Sequence, residues 1–211
     1  MKQVSKLNEL NNLSYFDSNS LSQIVDVSRN SLYANINRWL KRGYLIQLKK
    51  GMYVTREFME RHAGSDGYYE FISNKLHEPS YLSCEYVLQQ YGILTEAVYA
   101  ITAVTLKTKR EYENRLGRFL YRHVQDRLFT GFEIVDRDEF QVKTATKAKA
   151  LFDYLYLKFY RVTPLTKGLV ASLRLNLEDF SEQDMQELGM YCALTRISKF
   201  EVLPETIKAV L

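Results

Sequence analysis

Residues 18–55, SNSLSQIVDVSRNSLYANINRWLKRGYLIQLKKGMYVT, constrain the fold of this chain more than any other stretch. Leu21, Ile24 and Val25 give a first helix one apolar side. Asp26-Val27-Ser28 reads as a tight turn, and the Ser28 hydroxyl is placed to cap the helix that follows. In that second helix Leu32, Ile36, Trp39 and Leu40 recur at helical spacing, and Gly43, free to take left-handed backbone, ends it. Residues 45–48 and 52–54 then form a hairpin with Lys49-Lys50-Gly51 at its tip. Helix, turn, helix and basic hairpin, in that order, predict a winged helix-turn-helix.

The face opposite the apolar stripe carries Asn30, Ser31, Ala34, Arg38 and Lys41, flanked by Arg29, Tyr33, Asn35, Asn37 and Arg42, with no acid among them. Amide, hydroxyl and guanidinium groups are the ones that reach base edges and phosphates in a major groove. The expected DNA-binding set therefore starts at Ser28. Arg29, Asn30, Ser31, Ala34, Asn35 and Arg38 meet the groove, and Tyr33 and Lys41 meet backbone phosphate. Lys49 and Lys50 reach phosphate or the minor groove. Such modules also dock proteins, so an interaction adaptor is the alternative reading. Salt dependence separates the two, because phosphate contacts release counterions.

Charge follows the same division. Residues 1–62 hold ten Lys/Arg and five Asp/Glu, a surplus of five positive charges. Residues 63–175 hold sixteen and thirteen, and residues 176–211 hold three and seven, a deficit of four. A basic end facing a polyanion and an acidic end facing elsewhere fit that gradient. No apolar run approaches the ~18–20 residues that span a bilayer, so no membrane is expected. Cys84 and Cys192 are too few for a disulfide framework or a metal cluster and read as free thiols in a reducing cytoplasm.

Along the chain, Val4, Leu7, Leu10 and Leu13 predict a first helix within residues 1–16, and residues 17–20 supply caps for the next. Residues 56–62 read as a short charged helix. The polar stretch Gly64-Ser65-Asp66-Gly67 separates a domain at 1–62 from one at 68–211. In the second, helices are expected over 68–76, with Tyr69, Ile72 and Leu76 inward, and from Ser83 to Gly92, with Tyr86, Val87 and Tyr91 inward. Strands are expected over 98–106, 118–124, 132–135 and 140–143. A long helix over 146–161 and an acidic helical tail over 176–211 follow. The whole is α+β, with short antiparallel strands.

Several of these segments resemble the AbiEi family of antitoxins. Pro79-Ser80-Tyr81-Leu82-Ser83 with Glu85, Leu88, Tyr91, Gly92 and Glu96 is similar to that family's serine–acid–aromatic–glycine–glutamate helix. Ala103-Val104-Thr105, Lys107-Thr108-Lys109-Arg110, Tyr121-Arg122-His123-Val124 and Leu128-Phe129-Thr130-Gly131-Phe132 continue the pattern. So does Ala145-Thr146-Lys147-Ala148-Lys149-Ala150-Leu151-Phe152-Asp153. The family usually has proline and glutamate where this chain has Lys147 and Ala148, which puts a lysine at a helix N-terminus, against the dipole. The resemblance covers about residues 15–160. It implies a cytoplasmic repressor that binds inverted repeats in double-stranded DNA and regulates its own operon. It also implies that the C-terminal region counters a nucleotidyltransferase-like toxin.

Catalytic patterns are sparse, and no enzyme and no cofactor are expected. Asp136, Asp138, Gln141 and Lys143 resemble a metal-dependent nuclease motif, in which acids hold Mg²⁺ and a lysine helps activate water. They also suit a hairpin turn, where Asp is favoured for its own hydrogen bonding. His62, His77 and His123 have no nucleophile beside them in sequence. Phe152, Tyr154, Tyr156, Phe159 and Tyr160 suit a core better than a stacking platform for single strands. Residues 107–110 suit equally a second phosphate contact and a solvated loop.

Overall fold

The computed structural model describes residues 6–25 and 28–209. They group into two compact units, Met1–Asp66 with Tyr112–Leu116, and Gly67–Glu111 with Gly117–Leu211. The chain is α+β.

The first unit opens with a 3₁₀ turn, Lys6–Leu10, then β1 (Phe16–Asp17), α1 (Ser18–Ile24), α2 (Arg29–Lys41), β2 (Leu45–Lys49), β3 (Met52–Thr55) and α3 (Arg56–Arg61). Its sheet is antiparallel in the order β1-β3-β2. Asp17 caps α1 by accepting from the Asn19 and Ser20 amides at 3.0 and 2.8 Å. One core gathers Leu7, Leu10, Phe16, Leu21, Val25, Leu32, Ile36, Trp39, Leu45 and Tyr53.

The expected first helix does not continue past its opening turn. Leu7 and Leu10 are buried, but Leu13 is exposed after the polar pair Asn11-Asn12, where the backbone makes only i→i+3 turns. Val4, and Asp26 and Val27 of the expected turn, lie outside the described residues.

The second unit is built on α4 (Asp66–Leu76), β4 (Ser80–Leu82), α5 (Cys84–Gln90), β5 (Ala100–Thr105), β6 (Arg110–Asn114), β7 (Gly117–His123), β8 (Phe132–Arg137), β9 (Phe140–Ala145) and α6 (Lys147–Phe159). The tail adds α7 (Lys167–Ala171), α8 (Glu182–Leu194), α9 (Ser198–Glu201) and α10 (Leu203–Lys208). The six strands lie in the order β6-β7-β5-β4-β9-β8.

That sheet is mixed, not antiparallel as expected. β5 and β7 run parallel from Ala100↔Arg118 to Thr105↔His123, and β4 meets β9 in parallel at Leu82↔Thr144. The reason is β6, which the sequence pattern missed because residues 110–114 are polar. β6 carries the chain back, so that β7 returns between β6 and β5 and must run parallel to β5. Its far end and the turn after it, Tyr112–Leu116, belong to the first unit, where Asn114 Nδ2 donates to the Leu48 carbonyl at 2.9 Å. The polar boundary at residues 64–67 places residues 112–116 wholly in the second domain, and the structure moves them to the first.

On α5 the inward residues are Val87 and Leu88, both fully buried, whereas Tyr91 is exposed and Tyr86 half-buried. Tyr91 follows the last helical turn, so the helical period no longer places it.

The tail helices are separately punctuated. Ser181 starts α8 with a reciprocal cap: its hydroxyl accepts from the Asp184 amide at 3.1 Å and Asp184 Oδ2 accepts from the Ser181 amide at 2.8 Å. Among the described residues no helix is long and apolar enough to cross a membrane.

Candidate nucleic-acid interface

Helix α2 is set by three local features. Ser28 Oγ accepts from the Ser31 amide at its start, Leu32, Ile36 and Trp39 are buried along one stripe, and Gly43 ends it at φ +71° with its amide donating to the Leu40 carbonyl. Burying that stripe leaves Asn30, Ser31, Tyr33, Ala34, Asn37, Arg38 and Lys41 exposed. The helix contains no Asp or Glu, and Arg38 and Lys41 occupy its last turn, where the dipole favours cations. Such a face presents donors and positive charge, with no acid on the helix itself to repel a phosphate.

Asn35 is a correction. It is only 6% exposed and does not belong to the outward face. It lies three residues after Leu32 and four before Trp39, on the shoulder of the apolar stripe, where packing widened the buried face to include an amide. The side chain of Arg29 lies outside the described residues.

The hairpin of β2 and β3 closes through Lys50 and Gly51, with a bulge between Gln47 and Lys49. Gly51 sits at φ +81°, left-handed backbone that the tight turn requires and that glycine takes without steric cost. Lys50 is exposed at the tip; Lys49 is half-buried as the last residue of β2. The expected lysine pair is thus one tip cation and one shoulder cation.

The acids of the nuclease-like motif fall elsewhere. Asp136 pairs across the β8–β9 hairpin with Gln141, and Ile134 with Lys143, so these four share one face of the two strands. Asp138 instead sits in the two-residue turn at φ +53°, a conformation that Asp tolerates better than most residues. Among the described residues no group of three or more His, Cys, Asp or Glu side chains is placed to hold a metal ion.

The histidines are dispersed as well. His62 stacks on Phe58, His77 Nε2 lies 3.0 Å from the Thr108 carbonyl, and His123 is exposed.

Sequence reasoning missed a buried polar hub. Lys149 and Asp153, one turn apart on α6, are both 0% exposed, with Nζ and Oδ1 at 2.6 Å. Lys149 also donates to the Leu128 carbonyl at 2.8 Å and lies against the rings of Tyr81, Phe152 and Tyr191. Asp153 Oδ2 accepts from the Tyr81 hydroxyl at 2.9 Å and the Ser83 hydroxyl at 2.7 Å. Burial pushes the Asp153 carboxyl up from its ordinary value, and Lys149, Ser83 and Tyr81 pull against that shift. The available signal was a Lys and an Asp four apart inside an alanine- and leucine-rich helix, a spacing that is usually solvated.

Beside this hub Cys84 opens α5 at φ +58°, on a strand-to-helix turn of the sort that can present a nucleophile. It is not presented here. The residue is buried, and burial, with the Asp153 and Glu85 carboxylates, drives its thiol well above the ordinary value, away from the reactive thiolate.

The lysine at the start of α6 is also accounted for. Lys147 Nζ pairs with Asp184 Oδ2 at 2.7 Å and donates to the Asp179 carbonyl at 2.6 Å, which offsets its unfavourable place at a helix N-terminus. No family model matches the chain, and no curated protein matches it.

Proposed function

We propose that this protein is a sequence-specific DNA-binding transcriptional repressor that uses residues 18–55 as a winged helix-turn-helix. The observation that carries the reading is the outward face of α2, acid-free and lined by Asn30, Ser31, Ala34, Arg38 and Lys41, followed by a hairpin with an exposed lysine at its tip. In this reading α2 enters the major groove, Arg38 and Asn30 read base edges, Tyr33 and Lys41 hold phosphate, and Lys50 touches the flanking backbone. The protein acts by binding and not by catalysis.

The AbiEi-like order of motifs extends the proposal to an autoregulating cytoplasmic antitoxin that opposes a nucleotidyltransferase-like toxin. The motif residues that carry the resemblance include the buried Lys149–Asp153 pair of the second unit. Two experiments test the proposal. Anisotropy titration of the chain against its own upstream DNA should show affinity falling steeply with salt, since each phosphate contact releases counterion; a flat salt response would favour the protein-adaptor reading. Co-expression with an adjacent nucleotidyltransferase reading frame should restore growth, and failure to do so would remove the antitoxin role while leaving repression standing.

A further inference from the structure

A second charged surface lies wholly within the second unit. A groove of about 1190 Å³ is walled by Lys109, Arg110, Arg118, Arg122 and Arg161. A smaller cavity of about 340 Å³ continues from it, sharing His123, Leu157 and Arg161 and adding Lys158 and Tyr160. The topology assembles this trough. Arg118, Leu120 and Arg122 alternate along β7, so all three project to one face, with the two arginines about 13 Å apart. Lys109 precedes β6 and Arg110 opens it, and Tyr160 and Arg161 follow the end of α6.

The floor is apolar. Leu106, Leu120 and Leu157 are half-buried beneath the cationic walls. Two acids temper the charge: Glu111 pairs with Arg118 at 2.5 Å, and Glu85 approaches Arg122 at 3.8 Å. Six lysine and arginine side chains line the trough and its continuation, against one acid, Glu111, in the same lining. At its far end Tyr160 is 46% exposed, with its ring at an edge angle to Tyr156.

We infer that this trough binds single-stranded nucleic acid, as a site separate from the α2 face. Cationic walls suit a phosphate chain. An apolar floor and an exposed tyrosine suit unstacked base faces, which a duplex hides in its interior. A duplex would meet the rim cations and leave the floor and Tyr160 unused. An acidic peptide would satisfy the cations and gain nothing from stacking on the ring.

The test is fluorescence anisotropy on the full chain with labelled dodecameric oligo-dT, oligo-U and a duplex of the same length. Lys109→Ala with Arg161→Ala should weaken oligo-dT binding and flatten its log-affinity against log-salt slope by about 1.4, for two lost single-strand phosphate contacts. Tyr160→Ala should weaken it about tenfold, and Tyr160→Phe should restore it, since the ring and not the hydroxyl stacks. Arg38→Ala with Lys50→Ala, aimed at the α2 face, should weaken duplex binding far more than oligo-dT binding, the reverse of the trough substitutions, which separates this site from the proposed operator reader. Three results would overturn the inference. One is oligo-dT binding that is absent or indifferent to the trough substitutions. Another is duplex binding weakened by them as much as oligo-dT binding. The third is poly-glutamate displacing oligo-dT as well as an unlabelled oligonucleotide of equal charge. Circular dichroism of each variant checks that the fold survives.

Discussion

Helices α2 and α6 begin alike and are put to opposite use. Each has thirteen residues, each starts from a hydroxyl cap, Ser28 or Thr146, and neither carries an acid in its first turn. Yet α2 buries one stripe and turns its polar residues outward, whereas α6 buries Ala148, Lys149, Ala150, Leu151, Phe152 and Asp153 in succession. Lys41 on α2 is a solvated cation near a helix end; Lys149 on α6 is a sealed one held by a carboxylate, a carbonyl and three aromatic rings. The difference teaches that a helix's charge has no fixed meaning until the number of surfaces packed against it is known. A helix covered on one side offers its cations to a ligand, and the stretch of a helix that is covered all round, as over Ala148–Asp153, must neutralise them internally.

The comparison is broken most severely at the buried pair. Lys149→Ala leaves the Asp153 carboxylate buried with its main partner gone, so unfolding in urea should lose about 3–5 kcal/mol of stability. A loss below about 1 kcal/mol would mean that water reaches the pair and that α6 is no more enclosed than α2.

On α2 the expected effects fall on binding. Arg38→Ala should cost about 1–3 kcal/mol of specific affinity for the operator while leaving the melting temperature nearly unchanged, because its side chain projects from the exposed face. Asn35→Ala sharpens the contrast on the same helix. Its amide is buried, so the loss should appear as about 1–2 kcal/mol of stability. If Asn35→Ala instead lowered affinity at unchanged stability, the buried stripe would be narrower than the structure has it.

Lys50→Ala tests the tip alone. It should weaken binding to all sequences alike and flatten the salt slope by about 0.9, one phosphate contact on a duplex. A change in sequence preference at constant slope would make the hairpin a base reader.

The smallest effect belongs to the half-sealed pair of Lys147 and Asp184, intermediate between the two extremes. Burial pushes the Asp184 carboxyl up, but Lys147 Nζ with the Ser181 hydroxyl and amide outweighs it and holds the group below its ordinary value. A depressed carboxyl stabilises the fold above its unfolded pKa, and that contribution is lost as pH falls through the folded value. Wild-type stability should therefore drop below about pH 4 more than that of Lys147→Ala, by about 0.5–1 kcal/mol for a pair that water still reaches in part. Equal acid curves would show that the pair adds nothing.

Much of the local structure was legible. Ser28 could be read as a cap, Gly43 as a helix stop and residues 132–143 as a hairpin. Each depends on groups within about one helical turn or one strand pair of each other. The apolar period of α2 likewise places Leu32, Ile36 and Trp39 inside without reference to any partner. Of the candidate DNA-binding residues, the exposed positions Asn30, Ser31, Tyr33, Ala34, Arg38, Lys41 and Lys50 follow from that period and from the turn. Asn35 did not follow, because the edge of a buried stripe is drawn by whatever packs against it.

Only the tertiary structure decided the rest. The parallel pairing of β5 with β7 depends on a polar return strand whose composition carries no strand signal, and the meeting of β4 with β9 joins residues more than sixty positions apart in sequence. The same long-range pairing brings the Tyr81 and Ser83 hydroxyls to Asp153 and lines up Arg118 and Arg122 beside Arg161. By itself the sequence determined which residues form turns, caps and amphipathic faces, because those energies are settled between near neighbours. Which faces are covered, and hence which charges are buried and which are offered to a ligand, is settled between segments far apart in the chain. Burying a face depends on finding its complement, and no local pattern specifies where that complement lies.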